Sequence, residues 1–408
     1  MKITVFSFAI IVLLASLAPV SGVAMEIELR EDHPREYVVQ EGDTLWDIAG
    51  RFLTRPWQWP AIWQANPQID DPHLIFPGDV ISLVFIDGEP RLVAGPVDEE
   101  AVVDDSIRRL SPRIRREPLV GPVSTIPLDA IEPFLRFPRV VSEEEFERLP
   151  YVIANREQRV FSGTGDRTYV RGMDDARVGD QVVVARLTYQ FEDRSQENGT
   201  NQLRRNRMRQ PGQVPAWERP AGPIWRSISE GIDGVGYPII GYELWEAARG
   251  EVVRTGDPTI IQLTSGRREV MEGDLVVPVD TYVPEANFFP QAMDQIPENA
   301  RVLAITEAQY GVGHFQIAAI SVGSSDGVEP GHTFSAFRPG QRIRDQRYSL
   351  MSRAAFREPE KRYVDLPDEY AGTIMVFRTF DRVSYAIVLD GMNAVRNNDI
   401  LRHPDDRL

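Results

Sequence analysis

The sequence predicts an α+β chain in which a small strand–helix–helix–strand module precedes a mainly β region of two related units. Three observations predict it. Tyr37-Val38-Val39 and Leu45 to Phe52 set a strand-like run against a helix-like run around Gly42-Asp43-Thr44. From Tyr151 onward, β-branched runs of strand length are bounded by Gly, Asp, Asn or Pro. One order of motifs also occurs twice in that second half.

The chain starts with Lys2 and an apolar run from Val5 to Ala18, broken by Pro19. Gly22-Val23-Ala24 gives small residues for a cut after Ala24, so residues 1–24 read as a signal peptide. The alternative is an uncleaved anchor, because Ile3 to Val20 is nearly long enough to span a bilayer. Either reading puts the rest outside the cytoplasm, in the periplasm or cell envelope, and membrane contact follows only from the second.

Residues 35–87 form the module. Gly42 suits a turn that needs positive φ. Thr44 with Asp47 makes a capping box, and Leu45, Ile48, Ala49 and Phe52 recur at helical spacing. A second helix fits Trp59 to Asn66, with Pro60 in its first turn and Pro67 as its stop. Pro77-Gly78-Asp79 then turns the chain into a closing strand, Val80 to Phe85.

Residues 95–150 carry proline at positions 96, 112, 118, 122, 127, 133, 138 and 150, a density that predicts an extended connector. Ser142-Glu-Glu-Glu145 predicts one short helix ending before Pro150. The β units follow at 151–285 and 300–408. Predicted strands include Gln181–Ala185, Thr259–Leu263, Leu275–Val277, Ile317–Val322, Thr373–Phe377 and Ser384–Leu389. Val270-Met-Glu-Gly-Asp274 leads into one late strand and Val395-Arg-Asn-Asn-Asp399 into its counterpart. Val178-Gly-Asp180 and Val328-Glu-Pro-Gly-His332 match half a repeat earlier. Two Arg-rich polar stretches, Asp193 to Pro223 and Gln341 to Arg362, read as mobile loops.

Bulk properties narrow the function. A net charge of −16 over 408 residues argues against nucleic-acid binding. No cysteine means no disulfide, thiolate metal site, thiol nucleophile or lipoprotein anchor. The five histidines show no metal-ligand spacing, and nothing points to a cofactor. Neither lysine, Lys2 or Lys361, has a serine three residues before it, which excludes a Ser-x-x-Lys acyl enzyme. A glycosidase needs only two placed carboxylates, so 61 acidic residues leave a wall hydrolase open as the third reading.

Tyr37-Val38-Val39, Gly42-Asp43-Thr44-Leu45, Ile48-Ala49, Asn66-Pro67, Ile75 and Pro77-Gly78-Asp79 together resemble the lysin motif, LysM. The resemblance covers about an eighth of the chain and implies a βααβ module that binds N-acetylglucosamine glycans, chiefly peptidoglycan. It implies a shallow groove between the strand–helix turn and the loop before the closing strand. Gly42, Asp43, Thr44, Leu45, Trp46, Asn66, Pro67, Ile75, Phe76 and Pro77 are the residues it would place there. Two stretches, Leu53–Pro60 and Asp70–His73, exceed a minimal LysM and add tryptophans. Trp59 and Trp63 read as packing residues, and Trp46 and Trp57 as candidates for exposed sugar platforms. The Pro-rich segment and the paired β units, through Ser111-Pro-Arg113, Pro150-Tyr-Val-Ile-Ala154 and Val376 to Tyr385, also resemble the C-terminal region of a group of bacterial LysM proteins, which implies no activity. The expectation is a noncatalytic, envelope-located peptidoglycan binder whose β region meets an envelope protein. The alternative is a structural protein whose module and β units serve protein–protein contact.

Overall fold

A computed structural model describes residues 27–63, 75–86, 88–95, 123–193, 238–279, 288–306, 311–346 and 362–406. The expected leader, Asn66, Pro67, most of both Arg-rich stretches and the first part of the Pro-rich segment lie outside them. Among the described residues no helix is long and apolar enough to cross a membrane.

The module has its four elements in the expected order: β1 (Glu36–Val38), α1 (Leu45–Phe52), α2 (Trp59–Trp63) and β2 (Val80–Ile86). Thr44 Oγ1 accepts the Asp47 amide at 3.1 Å and Asp47 Oδ2 accepts the Thr44 amide at 3.2 Å, the reciprocal cap its spacing predicts. Leu45, Ile48, Phe52, Ile62 and Ile81 close one buried cluster. A fifth element, β3 (Glu89–Ala94), hairpins back on β2 and completes a sheet ordered β1-β2-β3. Its edge position tolerates Pro90, the residue that hides the strand from sequence inspection.

The described part of the Pro-rich segment, 123–150, is packed rather than extended. It contains α3 (Leu128–Arg136), β4 (Arg139–Val141) and α4 (Glu143–Arg148), with Ser142 capping α4 as expected. Pro138 cannot donate to the Phe134 carbonyl as a helical residue there would; Arg378 Nη1 donates to that oxygen instead, at 2.7 Å. Ile131 and Phe134 are buried.

The first β unit contains β5 (Tyr151–Asn155), β6 (Phe161–Ser162), β7 (Arg167–Arg171), β8 (Gln181–Glu192), β9 (Ile239–Arg254), β10 (Thr259–Gly266), β11 (Val270–Met271) and β12 (Leu275–Pro278). Six of these pair in a closed antiparallel ring, β5-β7-β10-β9-β8-β12 and back to β5. The second contains β13 (Gln291–Ala292), β14 (Val302–Ile305), β15 (Ile317–Ile320), β16 (His332–Arg338), β17 (Arg342–Arg344), β18 (Tyr363–Asp365), β19 (Glu369–Thr379), β20 (Ser384–Gly391) and β21 (Ile400–Arg402). Its ring runs β14-β15-β20-β19-β16-β21, closed by the bridge from Ile400 to Arg301. Taken first strand to sixth, the two pairing orders are the same.

The closures also match bond for bond. The Val276, Val152 and Gly273 amides donate to the Pro150, Asp274 and Val152 carbonyls. The Leu401, Val302 and Asn398 amides donate likewise to those of Ala300, Asp399 and Val302. Asp274 and Asp399 each accept the amide three residues back at 2.8 Å, and the residue before each has positive φ. At matching places in β8 and β16, Arg186 and Arg338 face these aspartates. Arg186 reaches Asp274 with two bonds, at 2.7 and 2.8 Å, whereas Arg338 Nε stays 3.9 Å from Asp399.

Period-2 alternation explains the layering. On β8, Val182 and Val184 enter the cluster enclosed by the first ring, while Val183 and Ala185 join Phe137, Val141 and Leu244 outside it. On β19, Ile374 and Val376 enter the second cluster, while Met375 and Phe377 face out. Met375 and Phe377 join a central cluster that draws on the module, the Pro-rich segment and both β units: Trp46 and Trp57, Ile131 and Phe134, Tyr189 and Phe191, and Tyr385. Within it the Tyr385 hydroxyl donates to Glu243 Oε2 at 2.9 Å and Thr188 Oγ1 to Oε1 at 2.6 Å. Complete burial, then the Glu243 charge, push the Tyr385 hydroxyl well above its ordinary value.

The start of the second Arg-rich stretch differs from the expected loop: β17, inside it, pairs with β18, which follows it, Arg342 opposite Asp365.

Candidate binding groove of the N-terminal module

Two turns form facing lips where the resemblance expects a groove. On one side the chain leaves β1, turns at Gly42 with φ +92° and enters α1. Asp43 is committed to holding this turn: its Oδ2 accepts the Gln40 amide at 2.8 Å and the Tyr37 hydroxyl at 2.7 Å. Burial, and then the Asp43 carboxylate, raise the Tyr37 hydroxyl above its ordinary value. The Arg51 guanidinium covers the Tyr37 ring 4.3 Å from its centre.

On the other side Ile75-Phe76-Pro77-Gly78-Asp79 makes the same kind of turn. Gly78 has φ +96°, and Asp79 Oδ2 accepts the Phe76 amide at 2.9 Å. The lips are joined through Val39, whose amide donates to Asp79 O at 2.9 Å and whose carbonyl accepts the Gly78 amide at 2.8 Å. This pair of hydrogen bonds fixes their spacing.

Residues 37–84 match the family model described as LysM domain. The chain carries a LysM domain. A protein of Bacillus subtilis (strain 168) named YqbP is 38% identical to it over 12% of this chain and 27% of that protein. The match therefore spans about a quarter of the relative's length. LysM domains bind peptidoglycan or chitin-like N-acetylglucosamine glycans and occur in cell-envelope proteins.

The structure brings Gly42, Asp43, Thr44 and Leu45 to one of these turns and Ile75, Phe76 and Pro77 to the other. Gly42 is exposed, Asp43, Phe76 and Pro77 are half-buried, and Thr44, Leu45 and Ile75 are buried, with only main-chain atoms to offer a ligand. Asn66 and Pro67 lie outside the described residues. The expectation for Trp46 and Trp57 is corrected. They are 2% and 3% exposed, so neither is a sugar platform. For Trp46 the cause is a second covered face on α1: Leu45 and Ile48 point into the module, and Trp46 points into the central cluster beside the rings, which Trp57 joins from the turn Pro56–Gln58.

Sequence reasoning missed Val123 and Ser124. The Leu45 amide donates to Ser124 O at 3.0 Å, and the Val123 amide donates to Ile75 O at 2.7 Å. One short segment thus bonds to both lips. Its only signal in the sequence is a Val-Ser-Thr-Ile run inside the Pro-rich stretch, and nothing local says where such a run docks.

Other contacts bind the domain to the rings. Arg55 pairs with Asp405 at 3.4 Å, His314 Nε2 stands 3.9 Å from Asp47, and the Trp59 and Phe289 rings lie 5.9 Å apart. Among the described residues no group of three or more His, Asp or Glu side chains could hold a metal ion.

Proposed function

We propose that this is a noncatalytic protein of the cell envelope that holds peptidoglycan, or another N-acetylglucosamine glycan, in the groove of its LysM domain. The observation that carries the reading is the pair of main-chain groups on facing lips. Each holds a main-chain group of one short segment: the Leu45 N–H donates to Ser124 O at 3.0 Å, and the Ile75 C=O accepts the Val123 amide at 2.7 Å. An acetamido group offers the same donor and acceptor, with a methyl that needs apolar cover. Gly42, Asp43, Thr44, Leu45, Ile75, Phe76 and Pro77 form the contact set in this proposal, the buried ones through their backbone. Trp46 drops out of it.

The reading includes export through residues 1–24 and a body of two related β units, 151–285 and 300–408, that faces an envelope protein. The common pairing order of the rings and the repeated Arg–Asp pair support the relatedness of the units.

Co-sedimentation of the full chain with purified peptidoglycan, competed by chito-oligosaccharide, tests the proposal. Competed retention without release of muropeptides is expected. Release of muropeptides would make the protein a hydrolase, and a chain absent from the pellet at every loading would refute glycan binding. One observation favours the structural reading as the second choice: Trp46 and Trp57 spend their faces on the chain's own core.

A further inference from the structure

We propose that residues 123–126 are a built-in plug of the LysM groove, and that amino-sugar chains enter only when this strap leaves. The inference rests on the glycan reading above and adds its regulation. Leu45 N–H and Ile75 C=O, the two lip groups that would meet an acetamido group, are both spent on the strap. Each bond goes to a peptide group, Ser124 C=O or Val123 N–H, chemically the same kind of group as an acetamide, so an acetamido group that takes either lip group must displace the strap from it. Val123 supplies the apolar part: it is 5% exposed and belongs to the buried cluster of the LysM domain.

The strap is anchored from outside the domain. Ile126 is fully buried in the central cluster that also holds Trp46, Trp57, Ile131 and Phe134, and Arg378 on β19 grips the Phe134 carbonyl. Groove occupancy and docking of the LysM domain on the rings are therefore one arrangement. The plug also carries an imperfection. Thr125 is fully buried, and its hydroxyl has no hydrogen-bond partner among the described residues. That unmet group favours release, because water satisfies it once the strap lifts.

Two substitutions move the equilibrium in opposite directions. Val123→Asp puts a charge where the strap buries a side chain and opens the groove. Thr125→Val removes the unmet hydroxyl at similar volume and holds it shut. Calorimetric titration of the full chain with chitopentaose reads affinity, and amide exchange of the peptide carrying Leu45 reads the strap. Because apparent affinity scales with the open fraction, Val123→Asp should bind about 10- to 100-fold more tightly than the natural chain. Thr125→Val should bind several-fold more weakly. Without sugar, exchange at Leu45 should be fast in Val123→Asp and slow in the other two.

Equal affinity in all three chains, with Leu45 freed by Val123→Asp, overturns the plug and leaves glycan binding standing. A folded Val123→Asp chain that frees Leu45 yet binds no sugar overturns both. Should Val123→Asp fail to fold, Thr125→Val decides alone, and unchanged or raised affinity overturns the plug.

Discussion

Asp399 should make the protein lose stability as pH rises through the neutral side of the carboxylate range. Its carboxyl is 2% exposed in the turn before β21, where it accepts the Arg396 amide at 2.8 Å. Burial pushes it from 3.8 up to about 6, against the Arg396 amide and the Arg338 charge, which favour ionisation. A folded-state value above the unfolded one means that the stabilisation is complete below 3.8 and is lost as pH rises through about 6. The gap from 3.8 to about 6 corresponds to about 3 kcal/mol, at about 1.4 kcal/mol per tenfold. Asn at this position keeps an acceptor for the Arg396 amide and cannot ionise. Urea unfolding at constant ionic strength, run in parallel on Asp399→Asn and the natural chain, cancels the slopes of all other groups. The difference should be near zero at about pH 4 and grow to about 3 kcal/mol in favour of Asn by about pH 7.5. A flat difference, or a less stable Asn variant at the upper end, would refute the reasoning. The matching turn is the control: Asp274 has Arg186 bidentate on it, so Asp274→Asn should destabilise at neutral pH.

Three further outcomes follow from burial and backbone geometry. Trp46→Ala removes a side chain that is 2% exposed and should lower unfolding stability by about 3–5 kcal/mol, read by chemical denaturation. Because the ring touches the central cluster, fluorescence from the LysM domain and far-UV signal from the rings should fall in one transition; two separated transitions would contradict the coupling. Tyr385→Phe takes one donor from the buried Glu243 carboxylate and should cost about 1–3 kcal/mol by the same assay. Gly42→Ala and Gly331→Ala share similar positive φ, +92° and +98°, but only at Gly331 would the new Cβ meet a backbone oxygen, Phe289 O at 2.3 Å. Thermal melting should therefore show about 1–2 kcal/mol lost at Gly42 and clearly more at Gly331.

The LysM domain was legible because its signals are local. Gly42-Asp43, the Thr44–Asp47 cap and the Leu45-Ile48-Phe52 spacing each act within one or two turns of chain, and the structure has all three. The Gly-Asp and Asn-Asp turns feeding strands were legible for the same reason. Partner choice was not. Nothing in Leu275–Pro278 says that it pairs with both β5 and β8, since ring closure is decided by contacts more than a hundred residues apart. β9 has no counterpart among the predicted strands: Glu243-Leu-Trp-Glu-Ala-Ala248 has a composition that suits a helix, and tertiary pairing overrides that preference. Trp46 was misplaced because periodicity identifies one buried face and is silent on whether the other is covered too. An apolar ring on the far side of an already amphipathic short helix was the available clue.

The arrangement of the central cluster links the two halves of the chain to a single event at the groove. A LysM domain that stood free would leave Trp46, Trp57 and the strap in water, about 150–250 Å² of aromatic surface for each ring. Here those rings share one apolar cluster with α3, the β8–β9 ribbon and the outward face of β19. Loosening the domain from the rings exposes the tryptophans, and withdrawing the strap pulls on Ile126 and Phe134 in the same cluster. The two movements therefore draw on one set of contacts. Whatever binds the β units strongly enough to shift β19 also acts on Arg378, on the carbonyl it holds, and through α3 on the residues that fill the groove.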